Sequence, residues 1–407
     1  MNKHIFLLIT FFIIVCIGCA NQQNSSRYSV EQINSLNLDS TKIIDIGTDS
    51  MITVDLNPFL NKQAFDFGSL IDEVKLIPLE TTDESLLDVI YKIIVTDSNI
   101  YIYDRFKGGG LAIFDSEGKF VRRISNGQGP GELIRLYDIA FDDENNELVA
   151  YMHSYLLFFS SSGKYLRSER LPFGFYNFQV TPEGYIFKTL DRMGNAHLGD
   201  LQDYTVLITD KEFKLTSVAL SYPPSDVSYV GYHHLYKNNK NIAITQRYSD
   251  IIHQYVHKDN KIKAKYTLNF KKKELPERYI KGSMREFENA IKNSDYYYYL
   301  GEYLETESHD AFYLCNKYIG LNTIIYRDNV SGNLKGGTNA DFLTKEIPSI
   351  GFPTASSGNY FISCYYPSEN DSILSNSSIL SNEDKLKIKN LIEDDNPVLA
   401  FFTLKKF

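Results

Sequence analysis

Residues 89–124 read VIYKIIVTDSNIYIYDRFKGGGLAIFDSEGKFVRRI. Four short runs rich in β-branched and aromatic residues stand out: Val89–Val95, Ile100–Tyr103, Leu111–Phe114 and Phe120–Ile124. Such residues favour the half-buried surface of a pleated strand. Asp97-Ser98-Asn99, Gly108-Gly109-Gly110 and Asp115-Ser116-Glu117-Gly118 separate them, and these are turn formers. The stretch therefore predicts a four-stranded antiparallel meander.

The unit recurs along the chain. Asp138–Phe141, Glu147–Tyr151, Tyr155–Phe159 and Tyr165–Arg170 repeat it, and so do Phe175–Val180, Tyr185–Lys188, Tyr204–Thr209 and Leu215–Leu220. A fourth copy spans Gly231–Tyr236, Ile242–Thr245, Ile251–Val256 and Ile262–Leu268. A fifth spans Leu300–Thr306, Ala311–Cys315, Thr323–Arg327 and Gly332–Lys335. The sixth has only Ile347–Phe352, Asn359–Tyr365 and Val398–Leu404. The missing strand is available at the other end, as Glu73–Glu80. Pro78 suits an outermost strand because it has no N–H to donate. Four-stranded repeats of this length predict an all-β, six-bladed β-propeller, its ring closed by the N-terminal strand, which shields the sheet edges. Two short helical insertions are expected, after Leu275-Pro276-Glu277 and after Ser381-Asn382-Glu383.

Lys3 and His4 precede an apolar run, Ile5–Ile17, which has the form of a secretory leader and ends at Gly18-Cys19. The junction resembles a bacterial lipobox, although Cys16 stands where Leu is usual and Ile17 where a small residue is usual. The expected division is a lipoprotein signal peptide (1–18), a tether lipidated at Cys19 (19–66) and the propeller (67–407). No acidic cluster follows Cys19, which favours the periplasmic side over the cell surface. Leu111–Val121, the motif Gly127-Gln128-Gly129-Pro130-Gly131-Glu132 and the terminal Asp395–Leu399 resemble the six-bladed propeller lipoproteins common in Bacteroidetes, which are related to NHL-repeat propellers. That resemblance implies fold and envelope location rather than an activity.

The net charge of −9 argues against nucleic acid as a partner, because phosphate binding needs a basic face. No Gly-x-Ser-x-Gly elbow and no His-Glu-x-x-His is present. His153 and His233-His234 are the obvious imidazoles, but consecutive residues on a strand face opposite ways, which suits no shared metal. No cofactor is implied; a channel Ca2+ held by carbonyls or carboxylates stays open. Cys315 and Cys364 occupy equivalent places in consecutive blades, too far apart for a disulfide, and should be free thiols.

In a propeller, the loops from second to third strand and from blade to blade emerge on one face. Three long insertions, residues 190–203, 269–299 and 366–397, fall in such loops, and binding sites gather on loops of this kind. Arg105, Lys107, Arg135, Arg192, Arg247 and Lys317 map to that face or to strand ends, with Tyr176 as a stacking ring. They are the candidate ligand-binding set, since Arg recognises planar groups and rings stack. Gly127, Gly129, Pro130, Gly131 and Glu132 read as a structural turn between blades, with no P-loop Lys-Ser/Thr. The expected function is a membrane-anchored module that binds a glycan, a peptide or an envelope protein. The alternative is a propeller lyase or hydrolase. The sequence sets no oligomeric state.

Overall fold

The computed structural model describes residues 27–48, 50–60, 65, 67–105, 110–125, 127, 129, 131–189, 194–222, 234–317, 321–338, 353–367, 377 and 379–407. Cys19, Lys107, Pro130, Arg192 and Ile347–Phe352 lie outside the described residues.

Six small, mainly antiparallel sheets stand in a ring, forming a six-bladed β-propeller. The quoted stretch forms blade one, Ile90–Val95, Asn99–Asp104, Gly110–Asp115 and Phe120–Ile124, with the first strand innermost. Blades two and three follow the expected four-strand order. Apolar side chains of neighbouring sheets interdigitate between them. Ile186, Val206 and Ile208 of blade three, for example, pack on Leu235, Ile242 and Ile244 of blade four.

The ring closes as the strand count predicts. Ile71–Pro78 runs antiparallel to Val398–Leu404, with Val74 opposite Phe402 and Ile77 opposite Leu399. Its outward amide at Leu76 donates to Asp384 Oδ1 at 3.2 Å, so the helix Asn382–Ile388 covers part of that edge. The chain then passes directly into blade one: Glu80 N–H donates to Gly118 O at 2.8 Å.

Two blades depart from the expected boundaries. The inner strand of blade six is Ala355–Ser357, a run without the β-branched signature of its neighbours. The inner strand of blade five is split into Tyr297–Tyr298 and Tyr303–Glu305, where one run Leu300–Thr306 was expected. Gly301 makes the split, with φ +98°; a Cβ there would lie 2.6 Å from His234 Nδ1. Thr245 Oγ1 donates to the displaced Gly301 carbonyl at 2.7 Å, and Tyr236 OH lies 3.1 Å from the same oxygen.

The segment read as a tether holds structure of its own from Arg27 onward. Lys42–Ile43 adds in parallel to the outer strand of blade three, Leu215–Ser221. Ile46–Gly47 and Ile52–Asp55 add in parallel to the outer strand of blade four, Lys261–Asn269. Tyr28, Leu36, Val54 and Leu56 are buried against the blades. These residues form an arm that covers two sheet edges. Among the described residues no helix is long and apolar enough to cross a membrane.

Candidate functional site

The inner strands surround a central channel, and its two ends differ. At the end where first strands join second strands, side chains cross from blade to blade. Lys237 of blade four donates to Phe141 O of blade two at 3.2 Å and Val180 O of blade three at 3.4 Å, and pairs with Asp143 at 2.7 Å. Asn238 Nδ2 donates to Gly358 O of blade six at 3.0 Å. These contacts lace the turn-bearing end. They surround a small cavity of about 150 Å3 lined by Lys237, Gln179 and Ser356.

The opposite end, on the loop-rich face, holds a cavity of about 430 Å3. Tyr91, Lys92, Arg105, Tyr236, Glu302 and Tyr313 line it. Lys92 and Tyr236 line both cavities and stand between the two ends of the channel. Lys92 Nζ pairs at 2.7 Å with Asp138, whose carboxylate also accepts from Phe178 N–H at 3.0 Å. Arg105 follows the second strand of blade one, and its guanidinium lies 5.1 Å from the Tyr91 ring centre. Tyr91 and Tyr176 share a hydrogen bond between hydroxyls at 3.2 Å. Tyr236 OH donates to Glu302 Oε2 at 2.8 Å. The split strand of blade five is what turns Glu302 into this wall. Burial, reinforced by neighbouring acidic groups, pushes the Tyr91 and Tyr236 hydroxyls up. They keep their protons at neutral pH and act as hydrogen-bonding phenols rather than bases.

A profile described as Domain of unknown function (DUF4934) matches residues 51–403 of this chain. The chain belongs to the DUF4934 family. No curated protein matches the sequence. The DUF4934 chain is similar in fold to a crystal structure of a Bacteroides fragilis NCTC 9343 protein proposed to be exported. The TM-score is 0.71 at 18% identity, covering 88% of this chain and 100% of that one. Two other solved structures are far more distant. The extracellular domain of a protein proposed to be a one-component system from B. thetaiotaomicron scores 0.33 at 13% identity, covering 65% of this chain and 29% of that one. BamB from Moraxella catarrhalis scores 0.36 at 12% identity, covering 73% of each chain. Neither of those two bears on this one.

Of the candidate residues in this DUF4934 propeller, Arg105 and Tyr176 meet at the channel mouth. Arg135 lies apart, its guanidinium 5.2 Å from the Tyr137 ring centre. Lys317 sits 3.6 Å from Asp295, beside the insertion between blades four and five. Arg247 lies near Lys188 at the junction of blades three and four. None of the described residues of the Gly-rich motif lines the mouth cavity. Gly129 N–H donates to Glu132 Oε2 at 2.7 Å and Gly127 N–H to Leu133 O at 3.0 Å, which folds the loop on itself. Gly131, at φ +80°, lies so close to Tyr165 of blade two that a Cβ would come within 2.6 Å.

The insertions mostly cover blade surface. The helix Met284–Lys292 is capped by Ser283 and Glu286 and buries Phe287 and Ile291. The helix Asn382–Ile388 buries Ile388 and leaves Leu386 exposed. Ser308, His309 and Asp328 on the turn-bearing face imitate a catalytic triad without its geometry. Ser308 Oγ meets Nδ1 at 2.8 Å, while Asp328 is 3.8 Å from Nε2, beyond hydrogen-bond reach. Asp328 instead accepts the N–H groups of Val330, Ser331 and Phe407. Among the described residues no group of three or more His, Cys, Asp or Glu could hold a metal ion.

Sequence reasoning missed Tyr91, Lys92, Tyr236 and Glu302. A signal for Lys92 existed: a lone cation inside the apolar run Ile90–Val95 must find a partner.

Proposed function

We propose that this chain is an exported, lipid-anchored envelope protein that binds a ligand or partner on its loop-rich face. The observation that supports this reading is the one-sided channel. One end is crossed by Lys237 and Asn238 and holds a cavity of only about 150 Å3, while the other widens into the 430 Å3 cavity on the face that bears the three insertions. Concave, largely apolar sites with a few converging polar groups are the usual form of a ligand pocket. Export is supported by the leader and by the similar fold of the B. fragilis protein proposed to be exported.

The arm adds a geometric consequence. Arg27 and Tyr28 dock at the loop-rich face, where Tyr28 OH lies 3.4 Å from Ser154 Oγ and its ring 5.0 Å from His197. A lipid on Cys19 is eight residues away, which spans at most about 28 Å. The anchor would therefore hold the binding face towards the membrane, facing the periplasm, and would favour a membrane-proximal partner.

Site-specific photo-crosslinkers in cells test this. Probes at Tyr366 and Leu386, exposed on loop-face insertions, should capture a partner. A probe at Val330, exposed on a turn of the opposite face, should not. Equal capture from both faces, or none from either, overturns the reading. Loss of membrane association in Cys19→Ala tests the anchor separately.

A further inference from the structure

The lining of the mouth cavity narrows what it can accept. Four tyrosines contribute to its wall, and each hydroxyl is engaged within the protein. Tyr91 OH bonds Tyr176 OH at 3.2 Å, and Tyr236 OH donates to Glu302 at 2.8 Å. Tyr303 OH donates to Asp310 at 2.6 Å, and Tyr313 OH to Pro353 O at 2.7 Å. Tyr303 and Tyr313 are buried, and Tyr91 and Tyr236 offer ring carbon rather than hydroxyls. Ile90, Ile93 and Leu304 extend that apolar surface. Among the charged lining residues, Glu302 is buried and Lys92 is held by Asp138, whereas Arg105 is exposed. Arg105 is thus the charge that an entering ligand meets first, with its guanidinium already set beside the Tyr91 ring.

We propose that the channel mouth binds a compact organic carboxylate with an apolar or aromatic body, the carboxylate on Arg105 and the body against Tyr91 and Tyr236. This deepens the binding reading above by naming a ligand class for the same face. Arg presents paired N–H donors that match a carboxylate, and aromatic walls favour a flat apolar body. A polyhydroxylated sugar would need many donors and acceptors, and this wall has committed its hydroxyls elsewhere. The cavity volume lies within the range of roughly 300–1,000 Å3 usual for small-molecule sites.

The test uses the full chain with defined probes: phenylacetate and 4-methylpentanoate, the neutral phenylacetamide, and glucose with glucuronate. Binding is read by calorimetry and saturation-transfer NMR. Both apolar carboxylates should bind, with phenylacetate at least tenfold tighter than phenylacetamide and tighter than either sugar. Arg105→Gln should abolish the preference for acid over amide while melting like the parent protein. Arg135→Gln, which changes a side chain that lies apart beside Tyr137, should leave phenylacetate affinity within twofold. Equal affinity for acid and amide, a preference for glucuronate or glucose, an unchanged preference in Arg105→Gln, or no saturable carboxylate binding up to about 10 mM would overturn the assignment. The two proposals fail separately. Loop-face crosslinks without carboxylate binding sink only this one, and carboxylate binding without crosslinks sinks only the partner reading.

Discussion

Lys188 ends the second strand of blade three and is 2% exposed, wedged between blades three and four. Its Nζ donates to Thr205 Oγ1 at 2.6 Å, and no carboxylate accepts from it among the described residues. Burial, and then the nearby Arg247 cation, drive its pKa well below the ordinary lysine value. The sign follows directly. The unfolded chain holds a proton on this amine up to about pH 10.4, and the folded chain releases it earlier. Across that window the unfolded state binds more protons, so folding stability rises with pH and falls as pH drops. The slope for one such proton is at most about 1.4 kcal/mol per pH unit. Lys188→Met keeps the length of the side chain and removes the amine. Thr205 Oγ1 loses little, because it still donates to Leu220 O at 2.9 Å and accepts from Gln246 Nε2 at 3.0 Å. The variant should therefore be more stable than the parent at pH 7, by about 1–3 kcal/mol. The gain should shrink towards pH 10. Urea melts of both proteins between pH 7 and pH 9.5 measure it. Parallel pH profiles, or a destabilised variant at pH 7, would refute the lowered pKa of this buried amine.

Removing residues 1–82 takes away the closing strand with Ile71, Val74, Leu76 and Ile77; at about 1.5–3 kcal/mol per buried side chain this should abolish the cooperative melt. Removing residues 1–60 strips Tyr28, Leu36, Val54 and Leu56 but recovers the entropy of the arm, so circular dichroism should show a lowered yet cooperative transition. Equal melts for both truncations and the parent would mean that the ring does not depend on this strand. His253 is pushed down to about 4 by burial and by Lys188, so up to about 3 kcal/mol of stability should be lost as pH falls from 6.5 to 4. His253→Leu should flatten that part of the profile, and an unchanged acid limb would refute it. Cys315 and Cys364 are free, and burial pushes the Cys364 thiol up to about 12. Iodoacetamide at pH 8 should spare Cys364 in the native protein and label both cysteines after unfolding without reductant, as read by mass spectrometry; a linked Cys315–Cys364 peptide would contradict the blade register.

The ring was legible because its strands repeat and its turns are marked. Even the closure could be counted, since Glu73–Glu80 had no unit of its own. What escaped was any strand held by its position rather than its composition. Ala355–Ser357 is an inner strand because it pairs with Tyr360–Tyr365, and nothing in Ala-Ser-Ser announces this. The arm adds strands of two to four residues to blades three and four, too short to show a period. Tyr28 and Leu36 dock it through contacts that only tertiary structure creates. The site was half legible for the same reason. Arg105 and Tyr176 could be placed on the right face by topology. Glu302 reached the mouth only through a break at Gly301, and Arg135 and Lys317 were drawn away by local partners, Tyr137 and Asp295.

The asymmetry of the ring suggests how stability and binding are divided. On the turn-bearing face the blades are tied to one another across the ring. Lys237 links blade four to blades two and three, and Asn239 of blade four bonds Glu307 of blade five at 3.0 Å. Glu307 N–H donates to Gly358 O, and Ser308 N–H to Asn359 Oδ1, joining blades five and six. A second network sits at the junction of blades four and five, where Lys265 meets Glu305 at 2.5 Å and Tyr266 OH donates to Asp310 at 2.5 Å. Truncating a member of such a buried set leaves its partner unsatisfied, which costs about 1–3 kcal/mol each time. The wide mouth has ties of its own, Tyr91 of blade one to Tyr176 of blade three and Tyr236 of blade four to Glu302 of blade five, but Arg105 stands at its exposed rim. Substitutions on the turn-bearing face should therefore lower stability and leave ligand affinity alone, and those at Arg105 should do the reverse. A propeller divided in this way can vary its loop face without loosening its ring.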